Sequence, residues 1–143
     1  MARQARRLLQ FGVLLLLLAL VIGLAIPALS VPRLGVAAHV NGVVGGVSLL
    51  VLGLVWPHLR LSARALGLAF WLAPYSFFMG SLMPLVGGMW GAGGTMLPIA
   101  AGTVRGTAFQ EGVITAGLVT AGIAVFTLFV LLLLGLRGGT GES

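Results

Sequence analysis

Residues 8–29 read LLQFGVLLLLLALVIGLAIPAL, an apolar run in which Gln10 is the only strongly polar side chain. A helix of about 20 mainly apolar residues crosses about 30 Å of hydrocarbon, so this run predicts a membrane span. Three more segments of the same kind follow, and lipid forces all of them to be helical because it offers no partner to free backbone groups. The predicted spans are residues 8–29, 35–56, 65–88 and 109–136, and a glycine-rich outer loop, 89–108, joins the last two.

The composition excludes most classes of soluble protein. The 143 residues are 59% hydrophobic and 7% charged, and the mean hydropathy is +1.18. The chain has no cysteine, which excludes disulfides, thiolate metal sites and a cysteine nucleophile. Two histidines and two acidic residues exclude a zinc protease motif and a paired-carboxylate hydrolase. The arginines behind the net charge of +6 lie between apolar runs, so no nucleic acid partner is expected.

The predicted fold class is all-α: a single integral membrane domain, residues 1–143, that forms a four-helix bundle. Short connections at 30–34 and 57–64 predict antiparallel neighbours in an up-down arrangement. Six of the eight arginines fall on the side of both termini, and the positive-inside rule then predicts an N-in/C-in, multi-pass protein of the cell (inner) membrane. An alternative makes the first span a signal peptide with a cleavage site at residues 28–30. The six arginines are Arg3, Arg6, Arg7, Arg60, Arg64 and Arg137.

His39, in the second span, is the first candidate functional residue. It lies roughly 8 Å below the predicted outer surface, and polar groups inside a membrane are functional by default. Gly42, Gly46 and Gly53 return to nearly the same helical face. This strip either lets a second helix approach closely or leaves room for a flat ligand whose metal His39 binds. His58 is interpreted as an anchor at the opposite interface.

Three further groups are candidates for chemistry. Tyr75 follows Pro74 in the third span, and its hydroxyl is expected either to face a substrate or to bond a carbonyl freed by the proline. Asn41 supplies an amide to the second span. Glu111 follows a capping box at 107–110 and is expected either to stabilise the start of the last helix or to relay protons at the outer mouth.

The outer loop at 89–108 is too apolar for an ordinary solvated loop. Tryptophan, methionine, leucine and isoleucine interleave with its glycines. We expect it to fold back onto the bundle, either as a cap over an outward-facing pocket or as an anchor at the membrane surface.

Four stretches of the chain resemble the hydroxylaminobenzene mutases, a family of small four-span membrane enzymes. They are VPRLGVAAH at 31–39, WPHLRLS at 56–62, WGAGGTMLPIAAG at 90–102 and the pair QE at 110–111. The block at 90–102 is the most specific of these, and the likeness covers residues from about 27 to 111. The Ala-His pair at 38–39 is similar to that of styrene oxide isomerase.

The resemblance implies an isomerase that moves the hydroxyl of an aryl hydroxylamine from nitrogen to the ring, as from hydroxylaminobenzene to 2-aminophenol. It implies haem b with iron as the Lewis acid, His39 as the axial metal ligand, and Gly42 and Gly46 as the floor beneath the porphyrin. The expected partners are a small apolar aromatic substrate, membrane lipid and further copies in a homo-oligomer, a trimer by resemblance. The predicted catalytic residues are Tyr75, Asn41 and Glu111.

The chain departs from the family pattern at two positions. The pattern has asparagines where this chain has Gly45 and Gly80, so two polar contacts to the substrate are absent. Asn41, one turn before Gly45, is the candidate replacement. The absence favours a non-catalytic oligomeric membrane subunit as the alternative function. A small four-helix transporter is a second alternative, but that class depends on a carboxylate in the first span, and residues 8–29 contain none.

Overall fold

The computed structural model of the chain describes residues 1–137, and residues 138–143 of the predicted domain lie outside them. The described residues form four long helices and one short helix, with no strand among them. Each long helix is long and apolar enough to cross a membrane, which confirms the predicted all-helical, four-span class. The helices are α1 (Ala2–Ala25), α2 (Pro32–Val55), α3 (Ala63–Trp90), α4 (Pro98–Ala101) and α5 (Ala108–Arg137).

Helix α1 differs from its predicted span at both ends. It begins at Ala2, because arginine and glutamine are good helix formers and continue the helix ahead of the apolar run. It ends at Ala25, and a 3₁₀ turn at Ile26–Ala28 follows. Pro27 explains this end, since it has no N–H for a helical hydrogen bond. The other long helices begin and end within three residues of the predicted bounds.

Helices α2 and α3 form the middle of the helix packing. Helices α2 and α5 both pack on α3, whereas α1 packs mainly on α2. The Val31 N–H donates to the Gly88 carbonyl at 3.1 Å, and the Arg60 N–H donates to the Gly135 carbonyl at 3.0 Å. These bonds place the start of α2 beside the end of α3, and the segment before α3 beside the end of α5. Because α2 and α5 lie on different sides of α3, a groove runs between them.

The core is densest at the end of the bundle that carries the arginine-rich start of α1. Trp56 is fully buried there, and its ring meets Phe70 edge-on at a centroid distance of 6.3 Å. Its indole Nε1–H donates to Oε1 of Gln4 at 3.3 Å. Phe11 packs beside Phe70 in the same cluster. The indole therefore ties the end of α2 to the start of α1.

The glycine-rich segment folds back onto the bundle, as its apolar composition predicts. Ala101 of α4 packs against Val31 and Leu34 at the start of α2. Gly91 ends α3 with φ +65°, a left-handed conformation that glycine adopts without steric cost. The predicted capping box is confirmed at 107–110. The side chains of Thr107 and Gln110 each accept a hydrogen bond from the backbone N–H of the other residue.

Candidate active site

His39 lies on the face of α2 that contacts α1. Its Nδ1 is 2.7 Å from the carbonyl oxygen of Ala19, and because a carbonyl only accepts, Nδ1 must carry the proton and donate it. This bond fixes the tautomer and leaves the lone pair on Nε2. No group within residues 1–137 hydrogen-bonds to Nε2. Gly23 makes room for the ring, since a Cβ at that position would lie 2.9 Å from Nδ1.

This arrangement fits a metal-ligating imidazole. Histidines that bind metals almost always donate their other ring N–H to a carbonyl or carboxylate, which orients the ring. Residues 1–137 hold no cluster of three or more His, Cys, Asp and Glu side chains that could cage a metal ion. His58 is exposed and lies about 28 Å further along α2 and the turn after it, so it does not reach the same metal. Within residues 1–137, His39 could therefore offer a metal one ligand atom, Nε2 of its ring.

The glycine strip beside His39 is covered by α1. A Cβ at Gly46 would lie 3.0 Å from the carbonyl oxygen of Gly12, and a Cβ at Gly12 would lie 2.8 Å from that of Gly46. A Cβ at Gly42 would lie 2.8 Å from Cβ of Ala19 and 2.9 Å from Oγ of Ser81. The prediction that Gly42 and Gly46 form an open porphyrin floor is therefore wrong for the single chain. Its alternative, a close helix-packing face, is what the structure shows.

Asn41 lies on the other side of α2. Its Nδ2 donates to the carbonyl oxygen of Gly80 on α3 at 3.0 Å, whereas its Oδ1 has no hydrogen-bond partner in the described part of the chain. The residue lines a groove of about 310 Å³ between α2, α3 and α5. Gly45, Gly80 and Gly122 line the same groove. The two positions that depart from the family pattern thus lie beside Asn41.

Tyr75 joins two helices. Its hydroxyl is 2.7 Å from Oγ1 of Thr120 on α5, and Thr120 in turn donates to the Ala116 carbonyl at 2.7 Å. Because a threonine hydroxyl has one proton, Tyr75 must be the donor of the shared bond. The structural interpretation of Tyr75 is therefore favoured over a substrate-facing donor, but its partner is a threonine and not a carbonyl freed by Pro74.

Glu111 holds the glycine-rich segment. Its Oε1 accepts backbone N–H bonds from Gly93, Gly94 and Gly106 at 2.8, 3.2 and 3.0 Å, and its Oε2 accepts from Thr95 at 3.0 Å. Both carboxylate oxygens are thus bound to backbone amides. The structural interpretation is favoured over a proton relay, because four backbone N–H groups hold the carboxylate in place. Glu111 therefore joins the start of α5 to the glycine-rich segment.

The structure does not bring the predicted residues to one place within a chain. His39 contacts α1, Asn41 lines the groove, Tyr75 ties α3 to α5 and Glu111 lies in the glycine-rich segment. His39 and Asn41 nevertheless share a level, because two residues are about 3 Å apart along a helix axis. Within one chain the two side chains contact different neighbours, His39 on α1 and Asn41 on α3.

Comparison with known proteins identifies the family. The profile of styrene oxide isomerase matches residues 4–137. The chain belongs to the styrene oxide isomerase family. It is 46% identical to hydroxylaminobenzene mutase HabB of Ectopseudomonas oleovorans over 133 aligned residues. The alignment covers 93% of this chain and 81% of that protein. It is 39% identical to hydroxylaminobenzene mutase HabA of the same organism over 125 aligned residues. This alignment covers 87% of this chain and 93% of that protein. No solved structure matches the chain significantly.

Membership of this isomerase family confirms the resemblance drawn from the four sequence stretches. The chain is an enzyme of the isomerase and mutase class, and its four long apolar helices are those of a membrane protein. The alternative prediction of a non-catalytic membrane subunit is therefore wrong.

Sequence reasoning missed the residues that orient the family's Ala-His histidine in this chain. Gly23 and the Ala19 carbonyl were not predicted, although Gly12 and Gly23 interrupt a leucine-rich helix at a spacing of about three turns. Isolated glycines on one face of a membrane helix indicate close packing. The role of Ser81 was also missed: its fully buried hydroxyl donates to the Ala38 carbonyl at 2.8 Å and joins α3 to α2.

Proposed function

We propose that this isomerase rearranges aryl hydroxylamines, as in the conversion of hydroxylaminobenzene to 2-aminophenol. The N–O bond breaks and a C–O bond forms at the ortho carbon. The proton that leaves this carbon balances the proton that the nitrogen gains, so no co-reactant is needed. The names of two relatives at 46% and 39% identity support this substrate class.

One observation carries the proposal: the imidazole of His39 is oriented by its bond to Ala19 and keeps Nε2 free. We propose that Nε2 holds the iron of haem b. When bound, haem supplies a Lewis acid for the departing oxygen. Because α1 covers the glycine strip, the described residues of one chain offer no flat cradle beside His39. The cofactor would therefore lie against a second copy, in a homo-oligomer that is a trimer by resemblance.

The chain's own residues would provide orientation and a dry environment. Asn41 presents a free amide oxygen to a polar group of the substrate. The groove around it is lined mainly by apolar residues. In the proposed membrane setting, the groove would keep bulk water from a cationic intermediate. Tyr75 and Glu111 act at a distance, since one fixes α5 against α3 and the other fixes the glycine-rich segment.

We propose an antiparallel, up-down bundle in the inner membrane with both termini in the cytoplasm. The arginine distribution supports this orientation. The glycine-rich segment would then lie at the outer face, and an apolar aryl hydroxylamine would reach the groove through the bilayer.

Turnover by the purified protein tests the proposed function. We expect the wild type in detergent to convert phenylhydroxylamine to 2-aminophenol, and His39→Ala to lose this activity while it stays folded. Folded wild-type protein that gives no 2-aminophenol, with haem supplied, would contradict the proposal.

A further inference from the structure

The groove beside Asn41 is larger than a single benzene ring requires. A cavity of about 150 Å³ holds benzene, and this groove measures about 310 Å³. It lies between three helices, α2, α3 and α5, close to the middle of the last two. The groove therefore has room for an aromatic group larger than a single ring.

Two glycines give the groove its width. A Cβ placed on Gly80 or on Gly122 would meet nothing within 4 Å, so both positions open into free space. Gly45 is different, because a Cβ there would lie 3.0 Å from Cβ of Phe77. Packing within the chain thus accounts for Gly45 but not for the space above Gly80 and Gly122.

The groove also contains a polar anchor. The bond from Nδ2 of Asn41 to the Gly80 carbonyl fixes the amide and leaves Oδ1 as an unused acceptor. An N–H or O–H on the occupant would satisfy this oxygen. A lipid acyl chain has no such donor, whereas an aryl hydroxylamine has two.

The level of the groove matches that of His39. Copies related by an axis along the membrane normal keep every residue at its own depth. His39 of one copy can therefore meet only those residues of the next copy that share its level, and Asn41 is about 3 Å away from it along the helix axis. The groove is thus in a position to offer a substrate to a metal held by a neighbouring His39.

We propose that this groove binds the aryl part of the substrate and that Gly80 and Gly122 set its upper size, so that bicyclic aryl hydroxylamines are accepted as well as monocyclic ones. This specificity rests on the proposed function. Gly80 and Gly122 are specificity determinants, and Asn41 is the residue that holds the substituent on nitrogen.

Binding of unreactive amines tests the groove without turnover. 2-Naphthylamine and aniline lack the N–O bond, and their affinities for the purified full chain can be measured against empty micelles. Leucine at either groove position, Gly80→Leu or Gly122→Leu, is expected to weaken 2-naphthylamine binding about tenfold, a change of about 1.4 kcal/mol, and to leave aniline binding nearly unchanged. Asn41→Leu is expected to weaken both amines.

Two matched controls are available on the same helices. A Cβ added at Gly67 on α3 or at Gly112 on α5 would also meet nothing within 4 Å, but neither glycine lines the groove. Gly67→Leu and Gly112→Leu are expected to bind both amines as the wild type does. The proposal is overturned if the wild type binds neither amine, if the groove variants bind both like the wild type, or if all four leucine variants weaken binding equally.

Turnover separates this inference from the proposed function. If the wild type binds both amines with the expected variant pattern but converts no aryl hydroxylamine, the proposed function fails and the groove assignment stands. If the wild type converts phenylhydroxylamine and Gly80→Leu and Gly122→Leu leave KM for 2-naphthylhydroxylamine unchanged, the inference fails and the function stands.

Discussion

A single hydrogen bond decides which nitrogen of His39 is available for chemistry. The Ala19 carbonyl accepts a hydrogen bond from Nδ1–H, and Gly23 provides the space that lets the ring approach α1. The sequence singled out His39 as a candidate functional residue, because a histidine in an apolar span is rare and energetically costly. The direction of its ring was not predictable, since it depends on a carbonyl of another helix.

Gly23→Ala tests this orientation. The added methyl group would lie 2.9 Å from Nδ1 and push the ring away from the Ala19 carbonyl. Loss of such an outer partner typically lowers metal affinity about 10- to 100-fold, and a haem titration followed by absorbance would measure the change. Gly112→Ala is the control, because its methyl group meets no atom within 4 Å. Equal haem affinity in the two variants would contradict the orienting role.

Glu111→Gln tests whether the Glu111 carboxylate stabilises the glycine-rich segment. The amide would lose the carboxylate's charge-assisted bonds and would turn an NH₂ group towards backbone N–H donors. We expect a loss of about 1–3 kcal/mol in the free energy of unfolding, with faster proteolysis within residues 91–107. Gln110→Ala, which removes one partner of the capping box, serves as a milder reference. An unchanged Tm in Glu111→Gln would contradict this stabilising role of the Glu111 carboxylate.

At the scale of helices, the spans follow from hydropathy alone, but the choice of partners does not. Lipid and the protein interior are equally apolar. The spacing of the glycines along α2 therefore does not indicate whether the glycine strip faces another helix, a ligand or lipid. The structure resolves this through Gly12 on α1, which meets Gly46. The groove was not predictable from the sequence either. It forms because α5 packs on α3 and leaves the neighbouring side of α2 uncovered.

A matched pair of alanine substitutions tests the helix packing. Gly46→Ala would place a methyl group 3.0 Å from the Gly12 carbonyl and force α1 away from α2. We expect it to lower the free energy of unfolding in mixed micelles by about 1–3 kcal/mol. Gly80→Ala meets no neighbour and should be neutral or stabilising by up to about 1 kcal/mol. Equal destabilisation in both variants would contradict the close α1–α2 contact.

At the scale of the whole molecule, the two halves of the proposed site lie on opposite sides of one helix and at one depth. An interface that joins different faces of identical chains is heterologous, and it forms a ring when the rotation closes. The sequence predicted an oligomer by resemblance only. Within one chain His39 faces α1 and Asn41 faces α3, and the shared site remains a proposal.

Mixing two inactive variants tests the shared site. His39→Ala lacks the ligand and Asn41→Leu lacks the polar contact of the groove, so each alone is expected to lose most of its turnover of phenylhydroxylamine. Co-expressed in one membrane, they should form mixed oligomers in which one interface has both residues intact, and part of the activity should return. If activity stays at the level of the separate variants while mixed oligomers are isolated, the site lies within one chain.

The absorption spectrum of the detergent-purified protein tests most directly whether His39 holds haem iron. We expect a Soret band in the wild type and in His58→Ala, whose imidazole is exposed at the other end of α2, and loss of that band in His39→Ala with the fold retained. A colourless, fully folded wild type after haem is supplied, or an unchanged band in His39→Ala, would contradict the assignment.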